Sequence, residues 1–164
     1  MANEPPPPER HTLSEHENRQ VFETQILPDR LARLRPVPHP SVHFFGAQPG
    51  AGKSTVQNAV RRALSEQDGL SSAALIIGDD FRPYHPRYFS LMEKGDELAA
   101  FYTDRDSARW VERAIEYTAR LKPHVILEGT LRDPQVTLDT AKRYRPEGFH
   151  QGRVMGTGNS TGSR

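Results

Sequence analysis

Nine residues, Gly46-Ala47-Gln48-Pro49-Gly50-Ala51-Gly52-Lys53-Ser54, constrain this chain more than any other stretch. They follow the apolar run Ser41-Val42-His43-Phe44-Phe45 and give way to Val56, Ala59, Val60, Ala63 and Leu64, which recur at helical spacing. The order strand, glycine-rich turn, helix is thereby set. A second run, Ala73–Ile77, is apolar without alternation, which suits a strand covered on both faces and so a parallel sheet between helices. A helix is predicted from about Arg105 to Leu121, with Val111, Ala114, Ile115, Thr118 and Leu121 on its buried side. His124-Val125-Ile126-Leu127 is the third strand, and Asp133 before Pro134 has the arrangement of an N-cap and first helical residue, opening a last helix that runs to about Tyr144. The class is α/β.

The flanks read differently. Eight of the 14 prolines lie in the first 40 residues, so residues 1–12 are expected to be disordered. Residues 13–40 hold one amphipathic helix and a linker: Ser14 and Glu17 have capping-box spacing, Val21, Phe22 and Ile26 form an apolar stripe, and Pro28 is expected to stop the turn. The core is placed at 41–146, and residues 147–164 are expected to form a disordered Gly/Ser-rich tail through which no fourth strand can be drawn.

Composition excludes several classes of function. There is no cysteine, hence no disulfide framework, thiolate metal cage or Cys nucleophile. The longest apolar runs are far short of the ~20 residues of a membrane span, and the N-terminus lacks the basic and apolar segments of a secretory signal, so a cytoplasmic, membrane-free protein is expected. Lys plus Arg number 22 against 21 Asp plus Glu, and a net charge of +1 provides no field for nucleic acid.

The glycine-rich turn carries the most specific chemistry. Backbone N–H groups of such a loop point around an anion and the following helix adds its partial positive charge, while glycines let the backbone approach. Residues Gly46, Gln48, Pro49, Gly50, Ala51, Gly52, Lys53, Ser54 and Thr55 are the expected nucleotide site. Lys53 would reach the β and γ phosphates and the Ser54 hydroxyl would ligate Mg²⁺. Ala47 replaces the first glycine of the usual pattern, with Gly46 adjacent to relieve the turn. Asp79-Asp80 and Glu128 follow the second and third strands, at the carboxyl ends where ligands of parallel sheets sit. One acid is expected to touch Mg²⁺ through water and another to orient the acceptor hydroxyl and take its proton.

Gly46–Ser54, Asp79-Asp80-Phe81-Arg82-Pro83-Tyr84-His85-Pro86-Arg87-Tyr88 and Leu127-Glu128-Gly129-Thr130-Leu131-Arg132-Asp133-Pro134 together resemble the zeta toxin family of P-loop kinases, from roughly Ile26 to Tyr144. The resemblance implies a P-loop parallel sheet with flanking helices. It also implies transfer of the ATP γ-phosphate, with Mg²⁺, to the 3′-hydroxyl of UDP-N-acetylglucosamine, and restraint by an antitoxin. By the same resemblance Asp79 is the base, Lys53 and Ser54 hold ATP and Mg²⁺, and Glu112, Glu128, Thr130 and Arg132 hold the substrate. Arg82 and His85 belong to the family pattern. His85 before Pro86 serves equally to fix a turn and Glu112 equally to solvate a helix, while pairing with Asp133 or a helix end is the lesser alternative for Arg132. Trp110 reads as core.

Complete members of the family continue beyond the Tyr144 helix with a fourth strand and with arginines that clamp the γ-phosphate. The segment from Gly148 onward lacks these and reads as a truncation or a shifted frame, so two edge strands are expected to be absent and the phosphate-loop strand to lack a neighbour on one side. Arg143, Arg145 and Arg153 are candidates to substitute for the clamp, and nothing in the sequence places any of them at the γ-phosphate. Two rival readings follow. One is a catalytically impaired remnant that binds nucleotide or an antitoxin; the other is a small P-loop kinase with a different acceptor.

Overall fold

The computed structural model describes residues 7, 10–46, 53–129 and 134–151. The elements in order are α1 (Glu15–Val21) with a wider helical continuation (Phe22–Leu31), β1 (Ser41–Gly46), α2 (Lys53–Asp68) and β2 (Ala73–Ile77). A helical turn α3 (Gly78–Phe81), a 3-10 turn (Arg82–Tyr84) and α4 (Tyr88–Met92) lead to α5 (Asp96–Leu121). Then come β3 (His124–Gly129), α6 (Pro134–Tyr144) and β4 (His150–Gln151). The sheet order is β2-β3-β1-β4, and β1 runs parallel to both β3 and β4. The three long apolar runs thus become three neighbouring strands of one sheet.

The chain divides into two compact units, residues 1–32 with 77–116 and residues 33–76 with 117–164. In the second unit Phe45, Ile126, Leu64 and Ala73 form a buried cluster that Val56, Val60 and Leu75 complete. Val56, Val60 and Leu64 lie four residues apart on one stripe of α2, and that stripe meets the sheet. Ala59 and Ala63, expected on the same face, are exposed. An alanine adds little burial energy, so the stripe narrows to the larger side chains. Further along the unit, the Thr118 and Tyr144 hydroxyls bond at 2.9 Å, and the Tyr144 ring meets Phe149 edge-on.

The expectation of no fourth strand is corrected here. His150 and Gln151 pair with Ser41 and Val42, and the His150 N–H donates to the Pro40 carbonyl at 2.8 Å. The phosphate-loop strand therefore has neighbours on both sides at its start. Both β4 side chains are exposed, so the strand is held by its backbone and leaves no apolar signature.

In the first unit, Ser14 caps α1 as a full capping box, its hydroxyl taking the Glu17 N–H and the Glu17 carboxylate taking the Ser14 N–H. Pro28 does not stop the helix. The chain passes through it in π-type turns, the Ala32 N–H reaching the Leu27 carbonyl at 2.8 Å, and the wider turn accommodates a residue that lacks the N–H. Helix α5 begins at Asp96, nine residues before the expected start, and Ala99 and Tyr102 bury that extra length against Leu91. Trp110 is core as read, fully buried with its indole N–H on the Asn18 carbonyl at 2.9 Å.

A buried carboxylate joins α1 to α5. Asp106 accepts from the Leu13 N–H, the Asn18 amide and the Arg109 guanidinium, at 3.0, 2.9 and 2.7 Å, and His85 Nε2 lies 3.3 Å away. Burial alone would raise its pKa, but the hydrogen bonds from His85, Arg109, Leu13 and Asn18 more than offset this and hold it at about 2. Against the ordinary value of 3.8, the ionised acid stabilises the folded state by about 2 kcal/mol. The sign follows from the depressed value: the contribution is complete above about pH 4 and is lost as pH falls towards 2. Asp106→Asn is expected to flatten the acid limb of urea-unfolding stability across that window, and an unchanged limb would show that Asp106 is not the linked group.

Candidate functional site

The end of β1 and the start of α2 bracket the six residues 47–52, which lie outside the described residues together with the expected ligands Gln48, Pro49, Gly50, Ala51 and Gly52. What brackets them is defined. Gly46 closes β1 opposite Gly129, and Phe45 pairs with Glu128, so the carboxylate stands at the same carboxyl end of the sheet as the loop. Helix α2 starts at Lys53 and carries no acid in its first turn, whereas α1 and α5 open with Glu15 and Glu17 and with Asp96 and Glu97. The positive end of α2 is therefore not neutralised by its own first turn and suits an anion. Ser54 and Thr55 are exposed there.

Glu128 is half-buried and accepts from the Gln57 amide at 3.1 Å. Gln57 was not foreseen. It is 5% exposed and lies on the stripe of Val60 and Leu64, three and seven residues on, where a polar residue among apolar ones is the signal that could have revealed it. The hydroxyl of Ser54 and the carboxylate of Glu128 are hard oxygen donors of the kind that hold Mg²⁺, so the donor set fits that ion. Thr130 and Arg132 lie outside the described residues, as does Asp133.

In the other unit, the Ser107 hydroxyl donates to the Gly78 carbonyl at 2.6 Å and pins the turn after β2 that carries Asp79. Asp79 is exposed and pairs with Arg82 at 3.0 Å. Arg82 also reaches Asp104 at 3.0 Å and the Ala100 carbonyl at 2.6 Å, and its side chain is only 18% exposed. Together with Ala100 it lines two open grooves. One, of about 400 Å³, is lined by Asp79, Tyr88, Met92 and Asp96; the other, of about 420 Å³, by Phe101, Asp104 and Arg105.

The remaining expected residues stand elsewhere. His85 is buried, its Nδ1 accepting from the Arg87 N–H at 3.1 Å and its Nε2 facing the His11 carbonyl at 3.0 Å and Asp106. Both ring nitrogens are thus occupied within the first unit. Glu112 is on the exposed side of α5. Among the described residues no cluster of three or more His, Asp or Glu side chains could hold a metal, and no helix is long and apolar enough to cross a membrane.

Comparison with known proteins bears on this geometry. A family model described as Zeta toxin matches residues 25–155. The chain is 28% identical over 110 residues to Toxin PezT of Streptococcus pneumoniae serotype 4, covering 67% of this chain and 42% of that protein. It is 26% identical over 133 residues to Toxin zeta of Enterococcus hirae, covering 79% and 44%. It spans less than half the length of these curated relatives. A solved structure from the structural characterization of the PezAT chromosomal toxin-antitoxin system of Streptococcus pneumoniae superposes with a TM-score of 0.73 at 24% identity, over 86% of this chain and 56% of that one. The α/β fold is therefore shared.

Arg82 offers a direct test of the first-unit geometry. Arg82→Met keeps the length of the side chain and removes its charge-assisted bonds, each worth roughly 1.5–3 kcal/mol when shielded from water. Urea unfolding is expected to show a loss of about 2 kcal/mol, and Asp104→Asn, at an exposed partner, less than about 1. Equal losses would mean that the carbonyl contact carries nothing.

Proposed function

Because the chain belongs to the zeta toxin family, we propose that it is a phosphotransferase that moves the γ-phosphate of ATP to a hydroxyl of a UDP-sugar such as UDP-N-acetylglucosamine. One observation carries the reading: the register of β1 on β3 sets Glu128 beside Phe45 at the strand ends, where the phosphate-loop sequence leaves the sheet and leads into α2. A loop of this composition entering a helix whose first turn holds no acid suits a polyphosphate.

In this reading Lys53 and the backbone around it bind the ATP phosphates, and Ser54 holds Mg²⁺ directly while Glu128 holds it through water. The ion, when bound, neutralises charge on the phosphate oxygens. Gln57 fixes the Glu128 carboxylate through its amide hydrogen bond. Asp79 takes the proton of the acceptor hydroxyl, and its exposure leaves it open to a ligand. Arg82 orients Asp79 through their ion pair. Thr130, Arg132 and Glu112 are assigned to the sugar nucleotide by their place in the family's sequence pattern. His85 is assigned to positioning, as it braces the Arg82–Arg87 segment through the Arg87 N–H. The γ-phosphate clamp is assigned to no residue. The reading includes a cytoplasmic location and an antitoxin partner, in line with the toxin-antitoxin system to which the structural neighbour belongs.

Incubation of the chain with Mg²⁺-ATP and UDP-N-acetylglucosamine is expected to yield a phosphorylated sugar nucleotide detectable by mass spectrometry. Lys53→Ala and Asp79→Asn are each expected to lower its rate by at least ~10²-fold. A fully active variant at either position would remove that residue from the mechanism. Transfer to other hydroxyl compounds but not to the UDP-sugar would make this a kinase with another acceptor. A folded chain that binds ATP and transfers to nothing would be a nucleotide- or antitoxin-binding protein instead.

A further inference from the structure

A second set of reactive groups lies at the opposite end of β1, unused by the proposed transfer. Ser41 Oγ is 2.8 Å from His124 Nδ1 and 2.9 Å from His43 Nε2, and His124 Nε2 is 2.7 Å from Asp68 Oδ2. The Ser41 backbone N–H also approaches His124 Nδ1, at 3.1 Å. An amide N–H can only donate, so Nδ1 is the bare, accepting nitrogen and the ring proton sits on Nε2, against the Asp68 carboxylate. That is the protonation state of a general base whose tautomer is fixed by an acid.

The surroundings agree with this assignment. His124 is 1% exposed, so water does not compete for its ring, while Ser41 is half-buried. Burial, and after it the neighbouring His124, pushes His43 below the usual histidine range, so it is neutral at neutral pH. With the Ser41 proton directed at His124, His43 Nε2–H donates to Ser41 Oγ, and each contact in the chain His43, Ser41, His124, Asp68 has one donor and one acceptor. The array is distinct from the phosphate loop: from Ser41 to Gly46 the strand rises about 17 Å at ~3.3 Å per residue.

We propose that Ser41 is a nucleophile for small activated carboxylic esters, with His124 as its base and Asp68 holding that base in place. Ser41 Oγ bonds to the ester carbonyl carbon as its proton passes to His124 Nδ1. The bond to the leaving alcohol breaks and the alcohol departs with that proton, leaving Ser41 acylated. Water, deprotonated by the same nitrogen, then attacks the acyl group, and the acid leaves as the Ser41 hydroxyl is restored. Ester and water are consumed, acid and alcohol are formed, and no oxidant or cofactor enters. The inference is independent of the kinase reading, since none of its residues belongs to that site.

The test is acylation of the whole chain by 4-nitrophenyl acetate and trapping by a fluorophosphonate, with peptide mapping by mass spectrometry. Ser90, exposed and with its hydroxyl donating to the Arg87 carbonyl at 2.9 Å, is the internal reference. Ser41 is expected to be labelled at least ~10²-fold faster than Ser90, Ser41→Ala to lose that label, and Asp68→Asn to slow it at least ~10-fold while circular dichroism stays unchanged. Labelling of Ser41 at the rate of Ser90, or at an undiminished rate in folded Asp68→Asn, overturns the proposal. Should Asp68→Asn not fold, the ratio of Ser41 to Ser90 in the unaltered chain decides alone.

Discussion

The second unit depends on how α2 is fastened lengthwise to the sheet. Gln57 near the start of the helix holds Glu128 at one end of β3, and Asp68 at its end holds His124 at the other. Val56 beside Gln57, and Val60 and Leu64 between the two contacts, pack with Phe45 and Ile126. The apolar stripe supplies most of the energy, at roughly 1.5–3 kcal/mol for each large side chain buried. It does not choose a register, because sliding the helix by a turn would present a similar stripe. The two polar contacts do choose, since a slide breaks both and strands their buried partners. The register in turn fixes where Lys53 and Ser54 emerge, and so where a phosphate can be held.

The first unit rests on a different device. A carboxylate as buried as Asp106 would be strongly destabilising without partners, and it has them from four directions: the segment before α1, α1 itself, its own helix and His85 after the 3-10 turn. Glu15 extends the same junction to Arg109 and Arg113 at the surface. Arg82 likewise gathers Asp79, Asp104 and a backbone carbonyl. In this unit, arginine and aspartate in mutual contact do part of what a larger apolar core would otherwise do.

The parts legible in the sequence are those that depend on local pattern. Ala73–Ile77 emerges with the expected bounds because five consecutive apolar residues have few other uses, and the capping box at Ser14 and Glu17 forms as its spacing requires. The miss at Pro28 has a physical cause: a single missing N–H ends a narrow helix but can be absorbed by a wider one. β4 is held only by backbone, and α5 begins with Ala99, Tyr102, Thr103 and Asp106 on its buried side, half of them polar. On the candidate site, Asp79 and Glu128 were visible as acids just past apolar runs. Gln57, Asp104 and Ser107 were not, because each acts through a partner distant in sequence.

The division of the chain into units also sets an order of events during synthesis. The first unit is interrupted in sequence, its opening residues 1–32 being separated from 77–116 by a segment that belongs to the other unit. The Leu13 N–H waits for an acceptor 93 positions further along, and closing a loop of that length costs about 4 kcal/mol in chain entropy beyond the fixed cost of any loop. Helix α1 therefore leaves the ribosome long before Asp106 does. Until then Asn18 of α1 lacks the Asp106 carboxylate and the Trp110 indole that later bond it, and nascent chains are most exposed to proteases and chaperones in this interval.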